Sequence, residues 1–457
     1  MVATMNTILA YVAHHRERFL RELLEILAIP SISADPAYRH EVARTAELVR
    51  ERLAAAGLDG ARLIQTAGHP LVYAEKRGDP SRPTVLIYGH YDVQPPDPLE
   101  LWETPPFTPV IREGMIYGRG ASDDKGQMYV HIKAAEYILA QGELPCNLKF
   151  LIEGEEESGS VSLPAFLASN REMLSADLAL VSDTAMLPGN RPAITVGLRG
   201  LAALEVTVRG PNRDLHSGIF GGAVANPAVA LSRMIAALHD QDHRLTVPGI
   251  YDAVVELSQE ERKEMAKAAM TAEWYREEVG VAEVVCEAGY TPFEGTTIRP
   301  ALDVNGLVSG YGGEGFKTVL PAVASAKISV RLVPDQQSEV VSEQVAAWLQ
   351  KLAPAGVTVE VNALHGGEPV HTPLDFPACR AASRAMAEVF GQEPLPIRGG
   401  GSIPVVALLE RHLGLKTILL GFGQDSDAIH SPNERFGVDN FLKGIMTSIR
   451  FLQRLAE

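Results

Sequence analysis

Five short segments of the sequence carry histidine, carboxylates or both. They cover residues 89–95, 118–126, 153–160, 181–183 and 428–434. On an extended backbone His90 and Asp92 point the same way, so the carboxylate can orient the imidazole toward a metal ion. Glu155, Glu156 and Glu157 are adjacent, and such like charges are costly unless a cation neutralises them. These residue types in this pattern indicate metal chemistry.

The number and kind of these side chains favour two divalent ions over one. Two-metal sites commonly use a carboxylate that bridges ions about 3.5–4 Å apart. Zinc accepts such a mixture of nitrogen and oxygen ligands, and manganese or cobalt would also fit. Each segment alone has a simpler explanation, because Asp123 and Asp124 could cap a helix and residues 155–157 could be a solvated charge run. Only their joint placement favours a metal site.

The elements that must position these residues alternate between β-rich runs and an amphipathic stretch. Residues 84–88, 148–152 and 178–181 predict strands, and residues 126–140 have the spacing of a crossover helix. Each of the three runs leads directly into a histidine or acidic segment. In open α/β sheets, functional residues gather beyond the carboxyl ends of the strands. The pattern therefore predicts an α/β/α layer domain with a mostly parallel sheet.

The pattern of predicted strands and helices changes near Arg199, which predicts a second domain inserted in the first. Residues 203–208 and 326–331 alternate like half-buried strands, while residues 226–238 and 338–352 have helical spacing. After Gly367 the sequence returns to the α/β pattern of the first part of the chain. We therefore predict an α/β, discontinuous two-domain protein. Its catalytic domain comprises residues 1–198 and 368–457, and residues 199–367 form an inserted α+β lid or dimerisation domain.

Composition and charge exclude several classes of function. The chain has 457 residues, and its 57 acidic and 41 basic side chains give a formal net charge of -16. This charge disfavours nucleic acid and anionic membranes as partners. Three dispersed cysteines lack CxxC spacing, and the sequence shows neither a secretory signal pattern nor a membrane-length apolar segment. We expect a cytoplasmic protein that binds neither nucleic acid nor membrane.

The five segments, in this order, resemble the M20 metallopeptidases, and the resemblance covers almost the whole chain. That family includes carnosinase-like cytosolic dipeptidases, aminoacylases, acetylornithine deacetylase and succinyl-diaminopimelate desuccinylase. The resemblance implies two divalent ions per subunit, with Zn²⁺ preferred over Mn²⁺ or Co²⁺. The implied metal ligands are His90, Asp123, Glu157, Asp183 and His430, with Asp123 bridging both ions.

The resemblance also implies the catalytic roles. Asp92 orients His90, and Glu156 is the general base. The acidic run alone leaves this choice open because Glu155 is also present, but the family places base and ligand immediately before Ser-Gly-Ser. A metal-bridging water would attack the amide carbonyl, and Glu156 would pass its proton to the leaving amine.

Further candidates lie mainly in the predicted insert. His216, within residues 214–222, resembles a dipeptidase histidine that reaches the partner subunit's active site and stabilises the tetrahedral oxyanion. This carry-over implies a homodimer with His216 acting in trans. Arg331 matches the arginine that receives the substrate's terminal carboxylate, a task suited to a planar bidentate donor. Thr318 and Ser402 match positions that contact substrate.

The leading hypothesis is hydrolysis of dipeptides with a free C-terminal carboxylate, and the alternative is deacylation of N-acyl amino acids. Asp183 in place of Glu, the long segment around His216 and the extended insert favour the dipeptidase branch. A noncatalytic binding protein should have lost a ligand or the base, yet the whole set is present. A serine hydrolase is disfavoured because Pro404 stands where a GxSxG elbow needs glycine. A dinucleotide site is disfavoured because Asp123 stands where its fingerprint needs a third glycine.

Overall fold

The computed structural model describes residues 4–142 and 144–457. Contacts between Cα atoms divide the chain into two compact units. The first unit comprises Met1–Val196, Thr372–Ile397 and Val405–Glu457, and the second comprises Gly197–His371 and Arg398–Pro404. The segment Arg398–Pro404 therefore groups with the second unit, whereas the sequence prediction put it in the catalytic domain. Its Ser402 accepts a hydrogen bond from Arg331 of the second unit, which explains this difference.

The helices and strands of the described residues are as follows. The α-helices are α1 (Met5–Leu27), α2 (Arg39–Ala55), α3 (Lys125–Ala140), α4 (Leu163–Ser169), α5 (Arg171–Leu174), α6 (Ser217–Phe220), α7 (Pro227–Ala236), α8 (Gln259–Ala266), α9 (Ala272–Val279), α10 (Pro292–Thr297), α11 (Ser338–Leu352), α12 (Pro377–Phe390), α13 (Pro404–Leu413) and α14 (Val438–Leu455). The strands are β1 (Asp59–Ile64), β2 (Leu71–Lys76), β3 (Thr84–His90), β4 (Val110–Arg112), β5 (Met115–Tyr117), β6 (Asn147–Glu153), β7 (Leu178–Val181), β8 (Ala185–Met186), β9 (Ala193–Leu198), β10 (Gly200–Arg209), β11 (Leu215–His216), β12 (Ala301–Ser309), β13 (Val319–Leu320), β14 (Val323–Leu332), β15 (Thr358–Gly367), β16 (Val370–His371), β17 (Leu395–Gly399), β18 (Thr417–Leu419), β19 (Gly423–Gln424) and β20 (Arg435–Gly437).

The main sheet of the first unit has a parallel centre. Its strands follow the order β1-β2-β6-β3-β7-β18-β9, and the neighbours β6, β3, β7 and β18 run parallel. The outer pairs β1–β2, β2–β6 and β18–β9 are antiparallel. Strands β6 and β7 are buried along their whole length, as expected for a sheet covered on both faces. The predicted α/β fold class is confirmed.

Helices complete the hydrophobic core of the first unit. Helix α3 packs against β3 and α14, and α14 also packs against α12 and α1. Almost every residue of α3 is buried, so this helix lies inside the unit and does not cover its surface. Asp124 is the N-cap residue of α3 and follows Asp123 directly in the chain. The packing of this buried helix therefore holds both acids in place.

The second unit is built on an antiparallel sheet with the strand order β12-β14-β10-β15. Residues of β10 alternate between buried and partly exposed, and Leu204 and Val206 point into a core shared with α7 and α11. This alternation is typical of a sheet with one face on a core. Residues such as Leu201 and Arg331 therefore lie on the opposite face.

None of the helices in residues 4–142 and 144–457 combines the length and apolar character needed to cross a membrane.

Candidate active site

The parallel strands of the first unit end together at one edge of the sheet. His90, the last residue of β3, is paired in register with Glu153, the last residue of β6. Tyr88 of β3 is paired with Val181, the last residue of β7. Segments that follow these strands must therefore start side by side, which brings together side chains that are distant in sequence.

His90 is fully buried, and Asp92 helps to hold its ring. The Nδ1 atom of His90 lies 3.2 Å from the backbone oxygen of Asp92 and 3.4 Å from its carboxylate Oδ1. The other carboxylate oxygen of Asp92 accepts a hydrogen bond from the Glu157 backbone N–H at 3.1 Å. Asp92 thus connects the end of β3 to the acidic segment after β6, and its contact with Nδ1 leaves Nε2 of His90 for a metal ion.

Asp123 lies between the two histidines. Its Oδ1 is 3.1 Å from His90 Nε2, and its Oδ2 is 2.9 Å from His430 Nε2. The same His430 nitrogen is 3.3 Å from Glu157 Oε2. Two clusters of possible ligand atoms, each within 4.8 Å, share Asp123. The first cluster consists of His90, Asp123 and Asp183, and the second of Asp123, Glu157 and His430.

The residues at this edge fit a pair of divalent ions. Each cluster offers one imidazole nitrogen and two carboxylates, the mixture that borderline cations accept. Among the described residues, the buried Nε2 of His90 has no hydrogen-bond partner of suitable geometry, although Asp123 is close. Such an orphaned nitrogen is expected of a metal ligand and is costly otherwise.

The pKa values show how strongly these carboxylates require a compensating charge. Burial, with the charges of Asp123 and Asp124, raises the pKa of Asp183 well above its usual value. Hydrogen bonds to Asp123 and Glu157 raise the pKa of His430 to about 10. A cation at this edge would replace the proton that each of these groups otherwise retains.

Glu155 and Glu156, which the sequence alone could not tell apart, differ in their contacts. The buried carboxylate of Glu155 accepts a hydrogen bond from the Ser162 backbone N–H at 3.3 Å and packs closely against Gly68. Glu156 begins a short 3-10 helix, and its side chain forms no hydrogen bond with any described residue. Burial, together with Glu157 and other nearby carboxylates, raises the pKa of Glu156 to about 7 despite the opposing effect of His90. These contacts leave Glu156 free to exchange a proton.

In the second unit, His216 lies near Thr318, and Arg331 contacts Ser402. His216 is opposite Val319 in the β11–β13 ribbon, and the next residue, Ser217, donates its backbone N–H to the Thr318 oxygen at 3.1 Å. The exposed His216 accepts a hydrogen bond from the Gly218 backbone N–H on its Nδ1 atom at 3.0 Å. The second pair is Arg331 and Ser402, joined by a 2.9 Å hydrogen bond from Nη1 to Oγ.

Comparison with known proteins places these residues in a family. The sequence model of peptidase family M20/M25/M40 matches residues 86–454. The chain belongs to this family. As an M20 peptidase it is a hydrolase, and the predicted likeness to the carnosinase-like dipeptidase branch is confirmed.

Named relatives of this M20 peptidase span nearly its full length. Cys-Gly metallodipeptidase dug1 of Schizosaccharomyces pombe is 33% identical, and the alignment covers 100% of this chain and 99% of that protein. Beta-Ala-His dipeptidase of Homo sapiens is 31% identical over 100% of this chain and 93% of that protein. The solved structure of the M20 family metallo-carboxypeptidase Sso-CP2 from Sulfolobus solfataricus has a TM-score of 0.86 and 34% identity, covering 96% of this chain and 99% of that chain.

Glu434 is the last residue of the segment 428–434, and the sequence of this M20 peptidase indicated no role for it. Its fully buried carboxylate accepts hydrogen bonds from Arg119 Nη1 at 2.7 Å and from three backbone N–H groups. Those groups belong to Gly120 at 3.0 Å, Ser122 at 3.0 Å and Asp123 at 3.2 Å. Glu434 therefore ties the chain near His430 to the loop that carries Asp123. No local pattern in the sequence signals these contacts, because the partners of Glu434 are more than 300 residues away along the chain.

Asp124 is a second residue to which the sequence assigned no role beyond helix capping. Its Oδ2 accepts a hydrogen bond from the His90 backbone N–H at 3.1 Å. Burial raises the pKa of Asp124 well above its usual value. The two neighbouring acids thus differ in their contacts, because Asp123 faces both imidazoles while Asp124 braces the end of β3.

Proposed function

We propose that this M20 peptidase hydrolyses the peptide bond of dipeptides with a free C-terminal carboxylate, using two divalent metal ions. The observation that carries the proposal is Asp123, which lies between His90 and His430 and is shared by both clusters of possible ligands. Two relatives, a Cys-Gly metallodipeptidase and a Beta-Ala-His dipeptidase, support a dipeptide substrate by the activities in their names.

The chain's own residues divide the work around the scissile bond. His90, Asp123, Glu157, Asp183 and His430 hold the ions. Bound divalent ions would polarise the amide carbonyl and lower the pKa of the attacking water. Glu156 takes a proton from that water and gives it to the leaving amine. Burial raises the pKa of Glu156 above its usual value, so this carboxylate accepts a proton more readily than one in water.

We propose zinc as the resident metal, because the ligand set combines two imidazoles with carboxylates. Manganese and cobalt are alternatives, because a site with several carboxylates also accepts these ions. Metal analysis of the purified protein, followed by chelation and reloading with each ion, distinguishes them. Highest turnover with manganese at equal occupancy would overturn the zinc assignment.

The catalytic unit in this proposal is a homodimer in which His216 of the partner subunit stabilises the oxyanion. Because Nδ1 of His216 accepts the Gly218 N–H, the neutral ring carries its proton on Nε2 and can donate from there. The exposure of His216 leaves that nitrogen accessible to a second subunit.

Mixing variants tests this shared site. His216→Ala should keep its metal and lose about 10²- to 10³-fold in turnover, the usual effect of removing one oxyanion donor. Mixing it with Glu156→Ala protein should restore part of the activity, since one of the two sites in a heterodimer is then intact. No recovery in confirmed heterodimers would refute action in trans.

The first experiment on the function is mass-spectrometric analysis of a mixed panel of dipeptides, tripeptides and N-acyl amino acids. Separate aliquots contain zinc, manganese or chelator, and Asp123→Asn protein is the control. We expect chelator-sensitive loss of dipeptides alone. Loss of the acyl substrates alone would make the protein a deacylase, and no turnover with any metal would indicate a noncatalytic protein.

A further inference from the structure

Arg199 lies close to Arg331 in the second unit. Arg331 is opposite Leu201 of β10, and its neighbours Val330 and Leu332 belong to the hydrophobic core, so Arg331 lies on the face of the sheet away from that core. Arg199 directly precedes β10, which begins at Gly200. The charge of Arg331 acts on the Arg199 guanidinium, so the two side chains are within electrostatic reach of each other.

A single short segment holds both guanidinium groups. Arg199 donates from Nε to the backbone oxygen of Gly400 at 2.8 Å, and its Nη1 is 3.5 Å from the Gly295 oxygen. Arg331 donates from Nη1 to Ser402 Oγ at 2.9 Å. Gly400 makes this approach possible, because a Cβ there would lie 2.6 Å from the Thr296 backbone oxygen and 3.5 Å from Arg199 Nη2.

Among the described residues, neither arginine has a counter-charge in direct contact. No carboxylate within residues 4–142 and 144–457 forms a salt bridge with Arg199 or Arg331, although the charge of Asp303 acts on Arg199. Burial and the charge of Arg331 lower the pKa of Arg199 to about 10, so it remains a cation at neutral pH. Two adjacent, partly buried cations without a carboxylate repel each other and lose hydration. An anionic ligand would remove that cost.

We propose that Arg199 and Arg331 together bind the C-terminal carboxylate of the substrate, with Arg199 as a specificity-determining residue. The resemblance assigned this role to Arg331 alone. Arg331 donates one N–H to Ser402, and Arg199 donates from Nε and Nη1 to backbone oxygens, so each guanidinium retains further N–H donors for a carboxylate oxygen. This inference rests on the proposed dipeptidase function and names the group by which its substrate is selected.

A comparison of a dipeptide with its C-terminal amide separates recognition from structure. For Arg199→Gln we expect kcat/KM on the dipeptide to fall about 10- to 100-fold, mainly through KM, as for loss of a charged hydrogen bond. The amide lacks the charge, so its kcat/KM should change less than about twofold, and Arg199→Lys should recover part of the loss. Arg209→Gln, at an exposed arginine that ends β10, is the matched control.

Equal losses on dipeptide and amide would overturn the proposal, because they would show that Arg199 only shapes the 400–402 segment. An unchanged dipeptide KM in a variant with normal metal content would overturn it too. If the wild-type protein hydrolyses no dipeptide, the proposed function fails instead. The arginine pair is then tested by calorimetric binding of a free amino acid and its amide to the metal-loaded protein. Preference for the free acid that is lost in Arg199→Gln supports the pair, and no preference refutes it.

Discussion

The candidate groups of the two units are held in different ways. In the first unit, the bridging candidate Asp123 is nearly buried, contacts two imidazoles and is braced through its backbone by Glu434. In the second unit, His216 is exposed and its ring has one local contact, with Gly218. Metal ions need ligands held in fixed positions, whereas in the proposed function His216 acts at the site of a partner subunit. In that proposal, the first unit holds the ions and the second contributes side chains that meet the substrate.

The largest effect should come from the residue shared by both metal clusters. Asp123→Asn removes the charge between His90 and His430, so metal content should fall from two ions per chain to below one. Turnover should fall at least about 10³-fold, since metal activation contributes several kcal/mol to catalysis. Metal analysis and kinetics check this, with the exposed Asp439→Asn as control. Two bound ions and near-normal turnover would show that Asp123 does not bridge the ions.

Glu156→Gln should separate proton transfer from metal binding. We expect kcat to fall about 10²- to 10⁴-fold with both ions retained, because the amide cannot carry the proton. Glu155→Gln is the matched control, since its neighbouring carboxylate is bound to Ser162. We expect it to stay within about tenfold of the wild type in kcat. A larger loss at Glu155 than at Glu156, measured at equal metal content, would reverse the assignment.

Glu434→Gln tests whether indirect support matters in the first unit. The amide keeps the shape of the side chain but weakens four hydrogen bonds that fix the loop before Asp123. We expect about 10- to 100-fold weaker metal binding, as for other groups that orient ligands. Titration of metal-free protein with zinc measures it, and excess zinc should recover most of the turnover. Ser402→Ala in the second unit should leave metal affinity unchanged, and an equal loss there would contradict the contrast between the units.

The sequence predicted those parts of the site that depend on where a residue stands relative to a recognisable strand. His90 and Asp183 follow recognisable strands, and parallel strands end at a common edge, so their convergence could be expected before the structure was known. The contacts of Glu434 could not be predicted from the sequence, because its partners are more than 300 residues away along the chain. The residues alone could not distinguish Glu155 from Glu156 either, because their difference lies in tertiary contacts: the Glu155 carboxylate accepts from the Ser162 N–H and packs against Gly68.

The second unit shows the same limit more strongly. The alternation of β10 predicted a half-buried strand, but no local pattern places Arg199 next to Arg331, since that proximity requires the register between β10 and β14. The link between Arg331 and Ser402 joins positions 71 residues apart, across the end of the predicted insert. Such contacts depend on tertiary packing, and residue types and spacing do not determine them.

The smallest expected effect concerns a buried histidine of the first unit outside the metal clusters. His131 lies between Ser448 Oγ at 2.9 Å and Ser182 Oγ at 2.8 Å, and burial lowers its pKa from 6.5 to about 3. As pH falls below 6.5, His131 becomes protonated in the unfolded chain but stays neutral in the folded protein until about pH 3. The free energy of unfolding therefore decreases as pH falls through this range.

Replacing His131 should therefore flatten the acid dependence of stability. Between pH 7 and pH 5, the free energy of unfolding of the wild type should fall by about 2 kcal/mol more than that of His131→Gln. The glutamine amide can still bond to both serines, so the comparison isolates the proton. Denaturant unfolding in the presence of chelator excludes loss of metal as the cause, and His216→Gln in the second unit is the control for an exposed imidazole. Parallel pH curves for the wild type and His131→Gln would mean that the buried ring accepts its proton as readily as one in water.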